Sequence, residues 1–133
     1  MTRTWAQNAS RYADADDSPS IQALLDICTR IGNSNYSTGV YGYTSMLELH
    51  LVQQEVSYPY DGPYLKIAPV SEEELEFRYV DTLVAERQWH RVVPAVAAWP
   101  RLLAFFSQLK WFSTVEDRGA PNQRFEVTGA SAG

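Results

Sequence analysis

The sequence has a single cysteine, no long apolar run and no excess of basic residues. Cys28 is alone among 133 residues, so it cannot form an internal disulfide, and a zinc site built from several cysteines is excluded. The most apolar segment, residues 89–112, is interrupted by Arg91, Arg101 and Lys110. Its uninterrupted parts are far shorter than the ~20 residues that cross a bilayer. These absences predict a protein without a cysteine metal site and without a membrane association.

The charge balance argues against nucleic acid as a partner. The chain carries a formal net charge of −5 and has a pI near 4.9. Binding to phosphates requires a basic patch, which the scattered lysines and arginines do not form. Mild acidity keeps small proteins soluble and also complements a basic protein partner.

Residues 1–20 contain no apolar core of a signal peptide, so we expect a cytoplasmic protein.

Composition and length predict one globular domain. Apolar residues make up 45% of the chain and charged residues 20%, close to the averages of globular proteins. A chain of 133 residues falls in the usual size range of one domain, so residues 1–133 are expected to fold as a unit. Residues 1–17 are polar and are predicted to form a loose N-terminal arm. Residues 129–133 are predicted to be a disordered tail.

The clearest local signal is a helix over residues 18–32. Ser18 is a favoured N-cap, Pro19 suits the first helical position and Gly32 is a typical C-terminal stop. Between these ends, apolar residues recur at helical spacing. They are Ile21, Leu24, Leu25, Cys28 and Ile31.

Beyond a loop, the period of the apolar pattern changes to two, which indicates strands. The first predicted strand begins at Tyr43 and continues to Val52, with Leu47, Leu49 and Leu51 on its apolar face. Two further strands are predicted over residues 64–68 and 75–80. Since the connections are short, the simplest arrangement is a three-stranded antiparallel meander.

The segment 89–112 is predicted to cover one face of that meander. Its apolar residues follow helical spacing, and Pro94 and Pro100 would kink the helix or divide it into a pair. Residues 124–128 are a possible short last strand. The fold class is therefore α+β, with an N-terminal helix, a three-stranded meander and a C-terminal kinked helix or helix pair.

Catalytic signals are weak. Phosphate-binding and dinucleotide-binding fingerprints are absent, and no metal site or cofactor is predicted. Two His–Glu pairs remain as candidates for acid–base chemistry. Glu48 and His50 are two residues apart and would lie on the same face of a strand. Glu86 and His90 are four residues apart and would share one face of a helix. Both pairs are also common on ordinary solvated surfaces.

Tyrosine is concentrated in residues 36–64, which hold six of the eight tyrosines. Tyrosine offers a rigid amphipathic face that is favoured in protein–protein contacts. Tyr43 and Tyr64 are assigned to the predicted sheet, and Glu72 to Glu74 would add rim charge to a contact surface. The predicted contact residues are Tyr36, Tyr41, Tyr58 and Tyr60.

Three functions are compatible with these patterns. The favoured hypothesis is a small acidic cytoplasmic module that binds a protein partner, possibly a basic one, through the tyrosine-rich surface. Immunity proteins and secretion chaperones are of the same physical type, which is an analogy only. The first alternative is a small enzyme with a His/Glu acid–base site where the sheet meets the last helix. The second is a homodimeric structural protein.

Overall fold

A computed structural model describes residues 3–55, 60 and 62–112. These residues form an α+β structure, which confirms the predicted class, with five strands where three were expected. The helices are α1 (Trp5–Ala13), α2 (Pro19–Gly32) and α3 (Ala98–Leu109). The strands are β1 (Tyr41–Ser45), β2 (Glu48–Val52), β3 (Pro63–Pro69), β4 (Glu74–Asp81) and β5 (Trp89–Pro94). Short 3-10 turns occupy Asn35–Thr38, Ala85–Arg87 and Ala95–Ala97.

The five strands form one antiparallel sheet in the order β1-β2-β3-β4-β5. Every strand pairs with its neighbour in sequence, so the sheet is a simple meander. The helices pack on one face of this sheet, and we call the opposite face the outer face.

The core lies between the sheet and the helices. Alternate residues of the strands point into it, because successive side chains of a strand face opposite sides. They include Leu49, Leu51, Leu65, Ile67, Leu75, Phe77 and Val93. The predicted helix over residues 18–32 is confirmed as α2, and its Cys28 is fully buried. Burial raises the pKa of the Cys28 thiol to about 12, so this cysteine is unreactive at neutral pH.

The prediction of a loose arm over residues 1–17 is wrong for the part that forms α1. Thr4 caps this helix: its hydroxyl accepts a hydrogen bond from the Gln7 backbone N–H, and the Gln7 side chain accepts one from the Thr4 backbone N–H. On the buried side, the Tyr12 hydroxyl donates to the Leu47 carbonyl oxygen at 3.2 Å. The helix was missed because its sequence is mostly polar and only a few positions are buried.

Asn8 lies on the buried side of α1 against β1. The side chain is fully buried, and neither polar atom of its amide has a hydrogen-bond partner among the described residues. Such a group costs roughly 1–3 kcal/mol of folding free energy. A Cβ added at Gly42 would lie 2.5 Å from the Asn8 amide nitrogen, so the glycine permits the close packing of α1 on β1.

The prediction of a kinked helix over residues 89–112 is also wrong for its first part, residues 89–94. Trp89–Pro94 is the edge strand β5, paired with β4, and only Ala98–Leu109 is helical. The β-branched pair Val92 and Val93 favours a strand, and Pro94 ends it. Pro100 falls in the first turn of α3, where its missing N–H would have no intrahelical partner. It therefore does not kink the helix.

The single strand predicted between Tyr43 and Val52 is a hairpin of β1 and β2. Ser45 pairs with Glu48, so the chain reverses through Met46 and Leu47. Met46 has a φ of 57°, in the left-handed region that disfavours residues other than glycine. Leu47, expected in the core, is therefore exposed in the turn.

Three of the sequence predictions fall on residues that the structure does not describe. Tyr58, the possible strand 124–128 and the tail 129–133 lie outside the described residues. Within the described residues, no helix has the length and apolar character needed to cross a membrane.

The cap of α1 gives a first testable prediction. Thr4→Ala removes the hydroxyl that satisfies the Gln7 N–H, and it should lower the free energy of unfolding by about 0.5–2 kcal/mol. Thr29→Ala is the control, because the Thr29 hydroxyl bonds only the Leu25 carbonyl within α2 and alanine favours helix. Urea unfolding measures both. Equal stability of the two variants would show that the Thr4 cap contributes nothing to the free energy of unfolding.

Candidate functional site

His50 lies on the outer face in a cluster of tyrosine rings. The sequence predicted an exposed strand histidine, yet only 4% of the His50 surface is exposed. Tyr43, Tyr60 and Tyr64 surround it, with ring centroids 5.3–5.8 Å from the imidazole. The tyrosines thus bury a polar residue on the face of the sheet that the helices leave uncovered.

Both ring nitrogens of His50 make hydrogen bonds. Nε2 lies 3.3 Å from a Glu48 carboxylate oxygen and Nδ1 lies 3.2 Å from the Tyr60 hydroxyl. An ionised carboxylate only accepts, so in the neutral ring Nε2 carries the proton and donates it to Glu48. Nδ1 then accepts from the Tyr60 O–H. Glu48 also lies 3.8 Å from the Lys66 ammonium, which completes a chain of polar contacts.

Burial lowers the pKa of His50 below its ordinary value, since the charged imidazolium is poorly solvated in this cluster. The hydrogen bond and charge of Glu48 oppose this effect, and the charge of Lys66 adds to it. The neutral ring is therefore favoured in the folded protein. With both nitrogens engaged, His50 has no free nitrogen to act on a substrate.

The second predicted pair, Glu86 and His90, does not lie on one face of a helix. Glu86 lies in the 3-10 turn Ala85–Arg87 and His90 lies in β5, so the helical spacing expected for them does not apply. His90 is on the outer face opposite Arg78, beside a hollow of about 330 Å³. The register places Lys66 and Arg78 between His50 and His90. At about 4.8 Å per strand, the two histidines are about 14 Å apart.

The predicted tyrosine surface is divided between two places. Tyr36 is 8% exposed and packs in the main core against Trp99, Phe106 and Phe112, so it does not share an edge with the others. Tyr60 is 5% exposed and belongs, with half-buried Tyr41, to the small cluster on the outer face. Tyr58 is outside the described residues. Tyr36 therefore lies apart from Tyr41 and Tyr60.

A different set of exposed side chains lies along one end of the sheet. In an antiparallel meander, alternate connections fall at the same end. The β1–β2 turn at residues 46–47, the β3–β4 turn at residues 70–73 and the exit from β5 at residues 94–96 therefore share one end. We call this the turn end.

Hydrogen bonds attach the α1–α2 connection to the same end. The Ser20 backbone N–H donates to the Glu72 carbonyl oxygen at 2.8 Å. The Arg11 guanidinium donates to the Met46 carbonyl oxygen at 3.3 Å, near the bond from Tyr12 to Leu47. The Ala95 N–H donates to the Glu73 carbonyl oxygen at 2.8 Å. Four segments that are distant in sequence thus meet at the turn end.

The turn end exposes large apolar side chains. Met46 is 82% exposed and Val96 is 94% exposed, and Leu47 and Val70 are also exposed. Elsewhere in the described residues, large exposed apolar side chains are found only at Leu83 and Val92. Exposed carboxylates surround the turn end from the α1–α2 connection and the β3–β4 turn. They are Asp14, Asp16, Asp17, Glu72, Glu73 and Glu74.

Sequence reasoning identified Glu72 to Glu74 but missed the apolar residues of the turn end. Met46 and Leu47 were assigned to a strand, and Val70 and Val96 were single apolar residues without a pattern. An accurate prediction of the first hairpin would have placed Met46 and Leu47 in an exposed turn. That hairpin lacks the Asn-Gly or Asp-Gly signal of two-residue turns.

Comparisons with known proteins assign neither a family nor a function to this chain. No family model, no curated protein and no solved structure matches this chain. Within the described residues, no three histidine, cysteine, aspartate or glutamate side chains are grouped so that they could hold a metal ion.

The environment of His50 predicts a pH dependence of stability. A histidine pKa that is lower in the folded than in the unfolded protein means that the unfolded chain binds the proton first. Stability should then fall as the pH drops below about 6.5, the ordinary histidine pKa. Chemical unfolding between about pH 7 and pH 5 measures this fall.

His50→Gln should flatten the pH dependence in that interval, because glutamine does not titrate. His90→Gln is the matched control, because it makes the same substitution at an exposed histidine of the outer face. A slope that disappears with His90→Gln and persists with His50→Gln would contradict the assignment.

Proposed function

We propose that this chain is a small acidic cytoplasmic module that binds a protein partner, and that the turn end is its contact surface. The exposure of Met46 and Val96 at one end carries the proposal. Large apolar side chains grouped on a surface and surrounded by polar residues are characteristic of protein–protein contacts. The single buried cysteine is typical of a reducing compartment and supports the cytoplasmic location.

The backbone at Met46 supports the same surface. A residue with φ near 57° costs roughly 1–2 kcal/mol unless it is glycine. The turn could therefore be stabilised by glycine, yet it presents a long flexible apolar side chain to solvent. Unfavourable local features of this kind occur frequently at functional sites. Methionine adapts its shape easily to a partner surface.

The enzyme alternative has weaker support. The Tyr60–His50–Glu48 chain resembles an acid–base relay in its hydrogen bonds, but the His50 and Tyr60 side chains are nearly inaccessible. His90, the other candidate base, is two strands beyond Lys66 and shares no hydrogen bond with His50. A histidine whose bonds are all internal is better suited to holding the outer face together.

Met46→Gly tests the proposal because it separates binding from stability. It should raise the free energy of unfolding by up to about 1 kcal/mol through relief of the left-handed strain. Capture of the partner by the immobilised protein from native lysate should fall roughly tenfold, as expected when a central anchor is removed. Urea unfolding and quantitative mass spectrometry provide the two measurements.

Leu83→Ser is the matched control for this test. Leu83 is 74% exposed, like Met46, but it lies in the β4–β5 connection at the opposite end of the sheet. Its replacement should leave capture unchanged. If Met46→Gly and Val96→Ser both retain full capture, the turn end is not the contact surface. Gel filtration of the same variants shows whether the captured partner is a second copy of this chain.

A further inference from the structure

The carboxylates at the turn end indicate the chemistry of the partner, an inference that rests on the proposed function. Two acidic segments, residues 14–17 and 72–74, are far apart in sequence. The hydrogen bond from the Ser20 N–H to the Glu72 carbonyl oxygen holds the start of α2, which directly follows the first segment, against the second. All six of their carboxylates are exposed, and Arg11 is a cation whose contact with Met46 places it at the same end.

Local structure explains only part of this acidity. Asp16 accepts a hydrogen bond from the Ser18 N–H ahead of α2, and this bond lowers the Asp16 pKa. Glu74 lies 3.4 Å from the Ser71 hydroxyl. Glu72 and Glu73 support the fold through their backbone carbonyl oxygens, which accept from Ser20 and Ala95. Their carboxylates can therefore be neutralised without loss of those bonds.

We propose that the turn end docks a basic protein surface, with Met46 and Val96 as apolar anchors and the two acidic segments as a charged rim. Exposed apolar side chains define where the partner binds, and the surrounding carboxylates define the sign of its charge. Complementary charge accelerates association and excludes partners of like charge. A shallow, open hollow of about 460 Å³ is lined by residues 71–74 and Pro94, and its three glutamates favour a lysine or arginine side chain of the partner there.

A charge-neutralised variant tests this inference. Glu72→Gln/Glu73→Gln should slow association with the captured partner by roughly three- to tenfold at low salt, and the difference should shrink as added salt screens the charges. Asp26→Asn/Glu86→Gln removes the same charge at exposed positions outside the turn end and should have no such effect. Surface plasmon resonance at two salt concentrations measures the rates. Mass spectrometry identifies the partner, which should be basic.

The outcomes distinguish the two proposals. If Met46→Gly and Val96→Ser abolish capture while both charge variants bind at the wild-type rate, the contact surface stands and the basic partner is refuted. An acidic partner would also refute it. If the apolar variants retain capture, the turn end is not the contact surface, and the assignment of that surface in the proposed function fails together with this inference.

A peptide probe gives a test that needs no identified partner. A ten-residue lysine peptide, titrated into the labelled protein, should shift backbone amide resonances of residues 14–17 and 71–74. The shifts should weaken in Glu72→Gln/Glu73→Gln and remain in Asp26→Asn/Glu86→Gln. Shifts centred instead on Glu48 and Glu76 of the outer face would place the cation-binding surface elsewhere and overturn the inference.

Discussion

The tight hairpin through Met46 and Leu47 is the constraint on which the rest of the arrangement depends. Its register places Leu49 and Leu51 in the core and His50 on the outer face. A shift by one residue would exchange these faces, because side chains alternate along a strand. The same reversal sets the direction of β2 and thus of every later strand in the meander. The positions of the turn end and of the histidine cluster both follow from it.

Local signals predicted the elements that have strong ends or a sustained period. Ser18 accepts a hydrogen bond from the Ile21 N–H and Pro19 begins α2, as the sequence indicates. The strands predicted over residues 64–68 and 75–80 lie within β3 and β4. The hairpin was not predictable by the same means, since Ser-Met-Leu-Glu contains no residue that favours positive φ. Apolar alternation continued through the turn and concealed it.

Residues 89–112 show why short apolar segments are ambiguous. A run such as Trp-His-Arg-Val-Val fits a strand as well as the start of a helix, and only pairing with β4 decides. The proposed contact surface was unpredictable for a related reason. Met46, Val70 and Val96 come from three separate connections, and only the alternation of ends in the meander brings them to one side. A tyrosine-rich segment is prominent in the sequence, yet Tyr36 and Tyr60 serve to bury core surface and His50.

Among the described residues other than glycine, Met46 and Lys110 have positive φ, and the fold explains this conformation at Lys110 but not at Met46. Lys110 ends α3 in the left-handed conformation that commonly closes helices, and its backbone N–H donates to the Ser107 carbonyl oxygen. Its exposed charged side chain is ordinary at a surface. Met46 occupies a turn position whose backbone conformation favours glycine, and its large apolar side chain is exposed to water. Folding alone does not account for methionine there, whereas contact with a partner would bury that side chain and remove the cost of its exposure.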